Sequence, residues 1–367
     1  MNKKIFIVVL VSLFSSSGFA QDDNWGKISG QVFVDYFYNV ARDGNFSNFD
    51  NTAVEGAKDL NGFLLRRASL NYDKNISDKF SARFRLEADS KANTSNNKIG
   101  VFVKDASLKW KNIFEGSDLI FGIQPTPSFD VSERYWGYRC LEKTIQDLRG
   151  FVPSRDFGIA LRGKISESNN INYTLMFGNN SANSLETDKY KRYYAAVDFS
   201  PINNFTIALT GDFKSKAALI NPENENETLS NNSILSSLFL GYAEKDKFSF
   251  GVEGVFQINQ NSSTYIEEGN IKINNVNALG VSAFASYWFS ETMGALLRYD
   301  YFDPYLNEDP LIISDSRNYI IAGVDFKVDK NISIIPNVIY ESYEKDSIVG
   351  LSFDPSVTAR VTLYYNF

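Results

Sequence analysis

The residues best suited to chemistry in this sequence are arginines set two apart in extended runs. Arg83 and Arg85 alternate with Phe84 and Leu86, and Arg66 and Arg67 stand together in GFLLRRASL. Guanidinium forks offer paired donors that match a carboxylate or a phosphate. Arg67, Arg83 and Arg85, on neighbouring strands, therefore form a candidate surface for a passing anion. Arg66 has the opposite parity to Arg67, so both can face one side only if a bulge intervenes. A second basic group, Arg134, Arg139, Lys143 and Arg149, sits among Asp130, Glu133, Glu142 and Asp147 between 126 and 154. Opposite charges across a narrow opening create a transverse field that orients polar solutes. Arg298 and Arg360 fall on inner-face positions of later strands, and Asp105, with Glu87 and Asp89, can neutralise part of the basic field.

Other chemistries are poorly served. With no histidine, Ser-His-Asp and Cys-His nucleophile systems and the usual zinc ligands are missing. The single Cys140 can form no intramolecular disulfide. Glu87 and Asp89 share one strand face about 6–7 Å apart, a spacing that invites a glycosidase reading, but wall charges explain them with less. No calcium-loop spacing occurs. The expectation is no catalysis, no cofactor and no metal. A net charge of −7 disfavours a nucleic-acid surface.

The elements that must position these side chains are strands. Lys3 and Lys4 precede an apolar run from Ile5 to Phe14 and a small-residue site at Gly18-Phe19-Ala20, so 1–20 reads as a secretory signal peptide. Nothing later is apolar over the roughly 18 residues of a membrane helix. A membrane-spanning form must then be a closed β-barrel, occupying 21–367. Alternating runs fall near 27–40, 62–73, 79–90, 100–111, 117–125, 155–165, 170–179, 192–200, 203–214, 233–244, 247–258, 276–289, 292–303, 317–328, 331–342 and 355–367. Sixteen strands enclose a water-filled lumen. In the third run Phe80, Ala82, Phe84, Leu86 and Ala88 suit lipid, and Ser81, Arg83, Arg85, Glu87 and Asp89 suit water. A one-residue slip would put charges into hydrocarbon at about 2–4 kcal/mol for each Arg or Lys. The 20 tyrosines and 30 phenylalanines supply interface girdles.

Connections alternate between short turns and long loops. The long ones are expected at 41–61, 91–99, 126–154, 180–191, 215–232, 259–275, 304–316 and 343–354, with Asn221 to Asn232 a solvated loop. In 126–154, Leu141, Ile145 and Leu148 recur at helical spacing, so this loop can bury an apolar stripe by folding inward to narrow the channel. The last run, SVTARVTLYYNF, alternates throughout and ends at Phe367, resembling the closing strand of bacterial outer-membrane barrels.

A closer resemblance rests on five pieces: Gly62-Phe63-Leu64-Leu65-Arg66-Arg67-Ala68-Ser69-Leu70, Val101-Phe102-Val103-Lys104-Asp105-Ala106-Ser107-Leu108, Phe121-Gly122-Ile123-Gln124-Pro125-Thr126-Pro127, Glu142-Lys143-Thr144 and Ser154-Arg155-Asp156-Phe157-Gly158. Their order and spacing are similar to the phosphate-selective porin O and P family, most clearly over 62–165. The resemblance implies a sixteen-stranded, homotrimeric outer-membrane pore with lumenal arginines and lysines handling anions. The expected function is passive diffusion of small ions and hydrophilic solutes with weak anion preference. The alternative is a non-conducting barrel that acts as an adhesin or assembly scaffold through its outer loops. Outer-membrane lipid is the surrounding partner in either case.

Overall fold

The computed structural model describes residues 25–44, 56–93, 96, 98–165, 171–267, 269–306, 316–344 and 352–367. The expected leader at 1–20 lies outside them. Sixteen of the eighteen strands close an antiparallel barrel. The first nine are β1 (Lys27–Ala41), β2 (Asn61–Asn75), β3 (Phe80–Asn93), β4 (Ile99–Phe114), β5 (Ser117–Pro125), β6 (Arg155–Lys164), β7 (Ile171–Gly178), β8 (Arg192–Ile202) and β9 (Phe205–Lys214). After a separate hairpin, β10 (Leu219–Asn221) and β11 (Asn224–Leu229), the barrel resumes with β12 (Ser233–Glu244), β13 (Phe248–Glu267), β14 (Asn270–Trp288), β15 (Met293–Asp303), β16 (Arg317–Asp329), β17 (Ile332–Tyr343) and β18 (Ser356–Asn366). Each barrel strand pairs with its sequence neighbours, except that β9 meets β12 across the hairpin and β18 closes on β1.

Closure is two-sided alternation at work. On β18, Ser356, Thr358, Arg360 and Thr362 are buried inside, while Val361 and Leu363 face outward. Asp35 pairs with Thr362 in the β1–β18 register, and the ends are tied by Gly30 N–H to Phe367 O at 2.9 Å and its reciprocal at 3.0 Å. Gly30 permits this approach, because a Cβ there would come within 2.6 Å of the Ser69 carbonyl and strike the Phe367 ring. The outer surface exposes Leu209, Leu238, Leu297 and Val361, with Trp110, Tyr287 and Phe289 toward the short turns. Such a belt requires a bilayer around it.

Two predicted loops are partly ladder. In 259–275, β13 and β14 pair outward as far as Glu267 and Asn270, because Thr264, Tyr265, Ile266, Ile271 and Ile273 favour extended backbone. Within 215–232 the predicted solvated stretch forms the β10–β11 hairpin, with Ile220 opposite Thr228. Its turn is set by the Glu223 N–H donating to Asn221 Oδ1 at 3.0 Å, an Asx turn.

Of the register shifts in the barrel, two turn basic side chains inward. Phe33 pairs with Arg67 and Val34 with Leu65, leaving Arg66 as the extra residue of β2. Likewise Arg85 pairs with Asp105 and Leu86 with Val103, leaving Lys104 as the extra residue of β4. The freed carbonyls of Val103 and Lys104 accept the Asn183 amide at 2.9 and 2.8 Å. An extra residue lets two successive side chains turn inward. Arg66 and Arg67 do so, as do Lys104 and Asp105.

Candidate functional site: the lumen and its inward loop

The connection 126–154 folds into the barrel. Its neck continues the β5–β6 ladder, with Thr126 Oγ1 donating to the Pro153 carbonyl at 2.7 Å. Helix α1 (Asp130–Trp136) follows, with Asp130 and Glu133 in its first turn and Gly137 at φ 69° as its left-handed C-cap. The expected helix through 141–148 is shorter: α2 spans Ile145–Leu148, and Leu141 lies in a preceding turn closed by its N–H on the Tyr138 carbonyl at 2.8 Å. Leu141, Ile145 and Leu148 are nonetheless buried together with Trp136.

They pack on the barrel wall. Phe33, Phe239, Phe284, Leu296, Ile321 and Ile335 point inward and form one cluster with Trp136, Leu141 and Leu148. Trp136 stands 5.4 Å from the Phe284 ring centroid, and its indole N–H donates to the Glu142 carbonyl at 2.9 Å. Deeper polar contacts pin both helices, since Gln146 and Ser132 donate to Glu253 Oε1 at 2.7 and 3.1 Å. The sequence hides this apolar sector because β16 and β17 carry apolar residues on both faces, as in Ile320-Ile321 and Ile334-Ile335.

Four of the arginines expected to line the pore hold this loop instead. Arg66 donates to the carbonyls of Cys140 and Leu141 and pairs with Asp35 at 2.7 Å. Arg360 reaches the Leu141 carbonyl and Asn337, each at 2.9 Å. Arg298 donates to the Lys143 carbonyl at 2.5 Å, is forked by Asp300, and lies 5.2 Å from the Trp136 ring. From the loop side, Arg149 pairs with Glu341 at 2.8 Å between Phe302 and Tyr319. Arg66, Arg298 and Arg360 are drawn in because a folded loop leaves carbonyls with no ladder partner, and a guanidinium can satisfy several at once, while Arg149 is held by the wall carboxylate Glu341. Glu142 is buried as well. Burial alone would raise its pKa, but Arg66 and Arg360, with the Lys143 N–H, hold the carboxyl below its ordinary range. Burial pushes the Cys140 thiol up to about 12, which keeps it neutral and unreactive.

The remaining candidates lie on the other side of the lumen. Glu87 gathers Arg85 at 3.0 Å, Lys104 at 3.3 Å and Arg67 at 3.5 Å, while Asp105 pairs with Arg155. On the loop, Arg139 bridges Glu133 and Asp147, both at 3.1 Å, and Lys143 approaches Asp147 at 3.8 Å. Arg134 is exposed and has no ion pair among the described residues. Toward the short turns Arg83 pairs with Asp73 at 2.7 Å, apart from the Glu87 group. Lys104, absent from the expected set, was concealed by its parity. Only the bulge turns it inward.

Two cavities lie against this wall. One of about 640 Å³ is bordered by Asp130, Glu133, Arg134, Arg139, Arg155 and Asp198. A second, of about 860 Å³, is bordered by Lys27, Asp73, Lys74, Arg83 and Lys109, and Arg162 borders both. Arg162 donates to the Pro125 carbonyl at 2.6 Å and pairs with Asp130 at 3.2 Å. Cations thus follow one another down the β1–β6 wall.

No protein family matches the sequence, and no curated protein does. Solved structures match the fold along nearly the whole chain. The outer-membrane channel DcaP of Acinetobacter baumannii is 11% identical with a TM-score of 0.65, over 93% of this chain and 96% of that one. An anion-selective porin from Comamonas acidovorans is 11% identical at 0.59, over 93% and 99%. OmpT of Vibrio cholerae, in a trimer form, is 12% identical at 0.56, over 93% and 98%. The fold is that of a bacterial outer-membrane porin barrel. With its apolar belt, the chain is an outer-membrane protein.

Proposed function

We propose that this barrel is a passive pore for small hydrophilic solutes with a weak preference for anions. The observation that carries the reading is the run of basic side chains on one lumen wall: Arg67, Arg85 and Lys104 about Glu87, then Arg155, Arg162, Arg83 and Lys109. Arg67, Arg85 and Lys104 gather about Glu87, and Arg67 also reaches Asp89 at 3.9 Å, so three cations meet two carboxylates and the pairing there leaves one positive charge over. Ion preference follows charge at the narrowest point rather than net charge, which reconciles an acidic chain with anion passage. The fold likeness to an anion-selective porin and to the DcaP channel is consistent with this, as is the motif resemblance to the phosphate-selective porin O and P family. Homotrimeric assembly belongs to the same proposal, supported by a neighbour of this fold described as a trimer. Residues 1–20 serve as its export signal, and the barrel performs no catalysis.

Purified protein in a planar bilayer should show stepwise conductance, with a reversal potential in a salt gradient on the anion side. Protein that folds in detergent yet never conducts above bare membrane would overturn the pore. Such silence would favour the second reading, a plugged scaffold, for which the observation is the firmly held loop and the β13–β14 ladder that outruns its β12 neighbour.

A further inference from the structure

The 640 Å³ cavity differs in charge from the basic wall around it. Two pairs of its opposite charges are already joined there, Arg162 with Asp130 at 3.2 Å and Arg139 with Glu133 at 3.1 Å. Three others border the same space without an ion pair among the described residues: Glu253, buried and held by hydrogen bonds from Ser132 and Gln146, Arg134, exposed on α1, and Asp198, on the inner face of β8, and of the two carboxylates only Asp198 is open to the cavity's solute. Among the described residues, Asp198 Oδ2 accepts the Asn172 amide alone, at 2.7 Å. The elements that carry Arg134 and Asp198 are tied together. Tyr135, next to Arg134, donates its hydroxyl to Thr206 at 2.8 Å, and Thr206 shares a 2.9 Å contact with Ser200. This ties α1 to the ends of β8 and β9, within two residues of Asp198 and its ladder partner Ala208. Thr174 and Thr210 add hydroxyls to the lining.

From this juxtaposition we infer that the cavity is a binding site for a small dipolar solute, an amino acid or short peptide, with its carboxylate on Arg134 and its ammonium on Asp198. A cation and a carboxylate that border one cavity without an ion pair among the described residues, on elements the scaffold ties together, are complementary to a molecule carrying both charges. A solute with one charge satisfies one end and leaves the other facing a like charge or water. Asn172 fixes the Asp198 carboxylate and Thr174 offers the backbone of a peptide a hydrogen bond. The inference names a solute class for the pore proposed above and rests on that reading for its route of access.

The probe is glycylglycine, compared with N-acetylglycylglycine, which lacks the ammonium, and glycylglycinamide, which lacks the carboxylate. In single-channel records the dipeptide should interrupt the current, with dwell times about tenfold longer than either analogue, the scale of one charge-assisted hydrogen bond. Arg134→Gln and Asp198→Asn should each shorten the dwell by about that factor, and the exchange Arg134→Asp with Asp198→Arg should restore it. Asp198→Asn keeps an acceptor for Asn172, and resistance of the folded band to dissociation by detergent confirms that each variant is intact. Equal dwell times for all three probes, or single variants that behave like the parent, overturn the inference while the pore stands. If no current flows, the pore reading falls by itself and titration calorimetry of the detergent-folded protein decides the site. Heat released with glycylglycine and lost in Asp198→Asn supports it, and equal heat in both overturns it.

Discussion

Arg360, on the strand that closes the barrel, donates a 2.9 Å hydrogen bond to the carbonyl of Leu141 at the centre of the inward loop, 219 residues earlier in the chain. The same guanidinium lies 3.8 Å from Asp35 and 2.9 Å from Asn337, so one side chain joins the loop, the first strand and the penultimate strand. Arg66 reaches the same Leu141 carbonyl from β2.

Replacing Arg360 by Met should therefore cost about 3–5 kcal/mol, the usual penalty for stripping a partner from a buried charged group. Urea unfolding of the refolded barrel measures it. Channel records of the variant should also show more open-state noise. A variant as stable and as quiet as the parent would show that the loop is held without this contact.

Deleting 136–148 removes Trp136, Leu141, Ile145 and Leu148 from the apolar wall sector. The unitary conductance should rise, because the lumen of a sixteen-stranded barrel is wide once nothing folds into it. Steps of parental size would mean that the bore is set elsewhere.

Lys104→Gln should move the reversal potential toward cations, and Arg67→Gln with Arg85→Gln should move it further. The shifts should grow as salt is lowered, since fixed charges act over about 8 Å at physiological ionic strength and farther in dilute salt. Reversal potentials that stay put in both variants would show that Glu87 and Asp89 fully absorb these cations.

Acid should loosen the loop through Glu142. Its folded-state carboxyl is held below the ordinary value of 4.5, so its contribution is fully present above that value and is lost as pH falls through the lower folded value. Trp136 emission followed from pH 7 downward should report exposure in that acid window. Glu142→Gln should be less stable at neutral pH and should lose the acid transition. An identical acid transition in the variant would assign it to another carboxylate.

How much of this was visible in the chain depends on periodicity. The alternation in Phe80 to Asp89 and in Ser356 to Phe367 placed those strands and their faces without ambiguity, because a slip would strand charges in lipid. Arg66 and Lys104 escaped the same logic, since a bulge is a one-residue departure from the period and leaves no compositional mark. The inward loop was legible from Leu141, Ile145 and Leu148. Its docking wall was not, because residues such as Ile321 and Ile335 sit beside equally apolar lipid-facing neighbours and only closure of the barrel decides which faces in. Arg298 and Arg360 were placed correctly on the inner face. That position did not reveal whether they would meet water or a backbone carbonyl.

The bond between Leu141 and Arg360 has a meaning for the cell that harbours this protein. Arg66 on β2 and Arg360 on β18 flank β1 and meet at one loop carbonyl, so this part of the loop's anchorage exists only in the closed barrel. A point lesion in the closing strand would then injure the cell by leakage rather than by loss of uptake. Cells carrying Arg360→Met should admit bulky dyes and large antibiotics that the parent excludes, while cells lacking the protein altogether should not. Equal exclusion in the Arg360→Met cells and the parent would detach the closing strand from that barrier role.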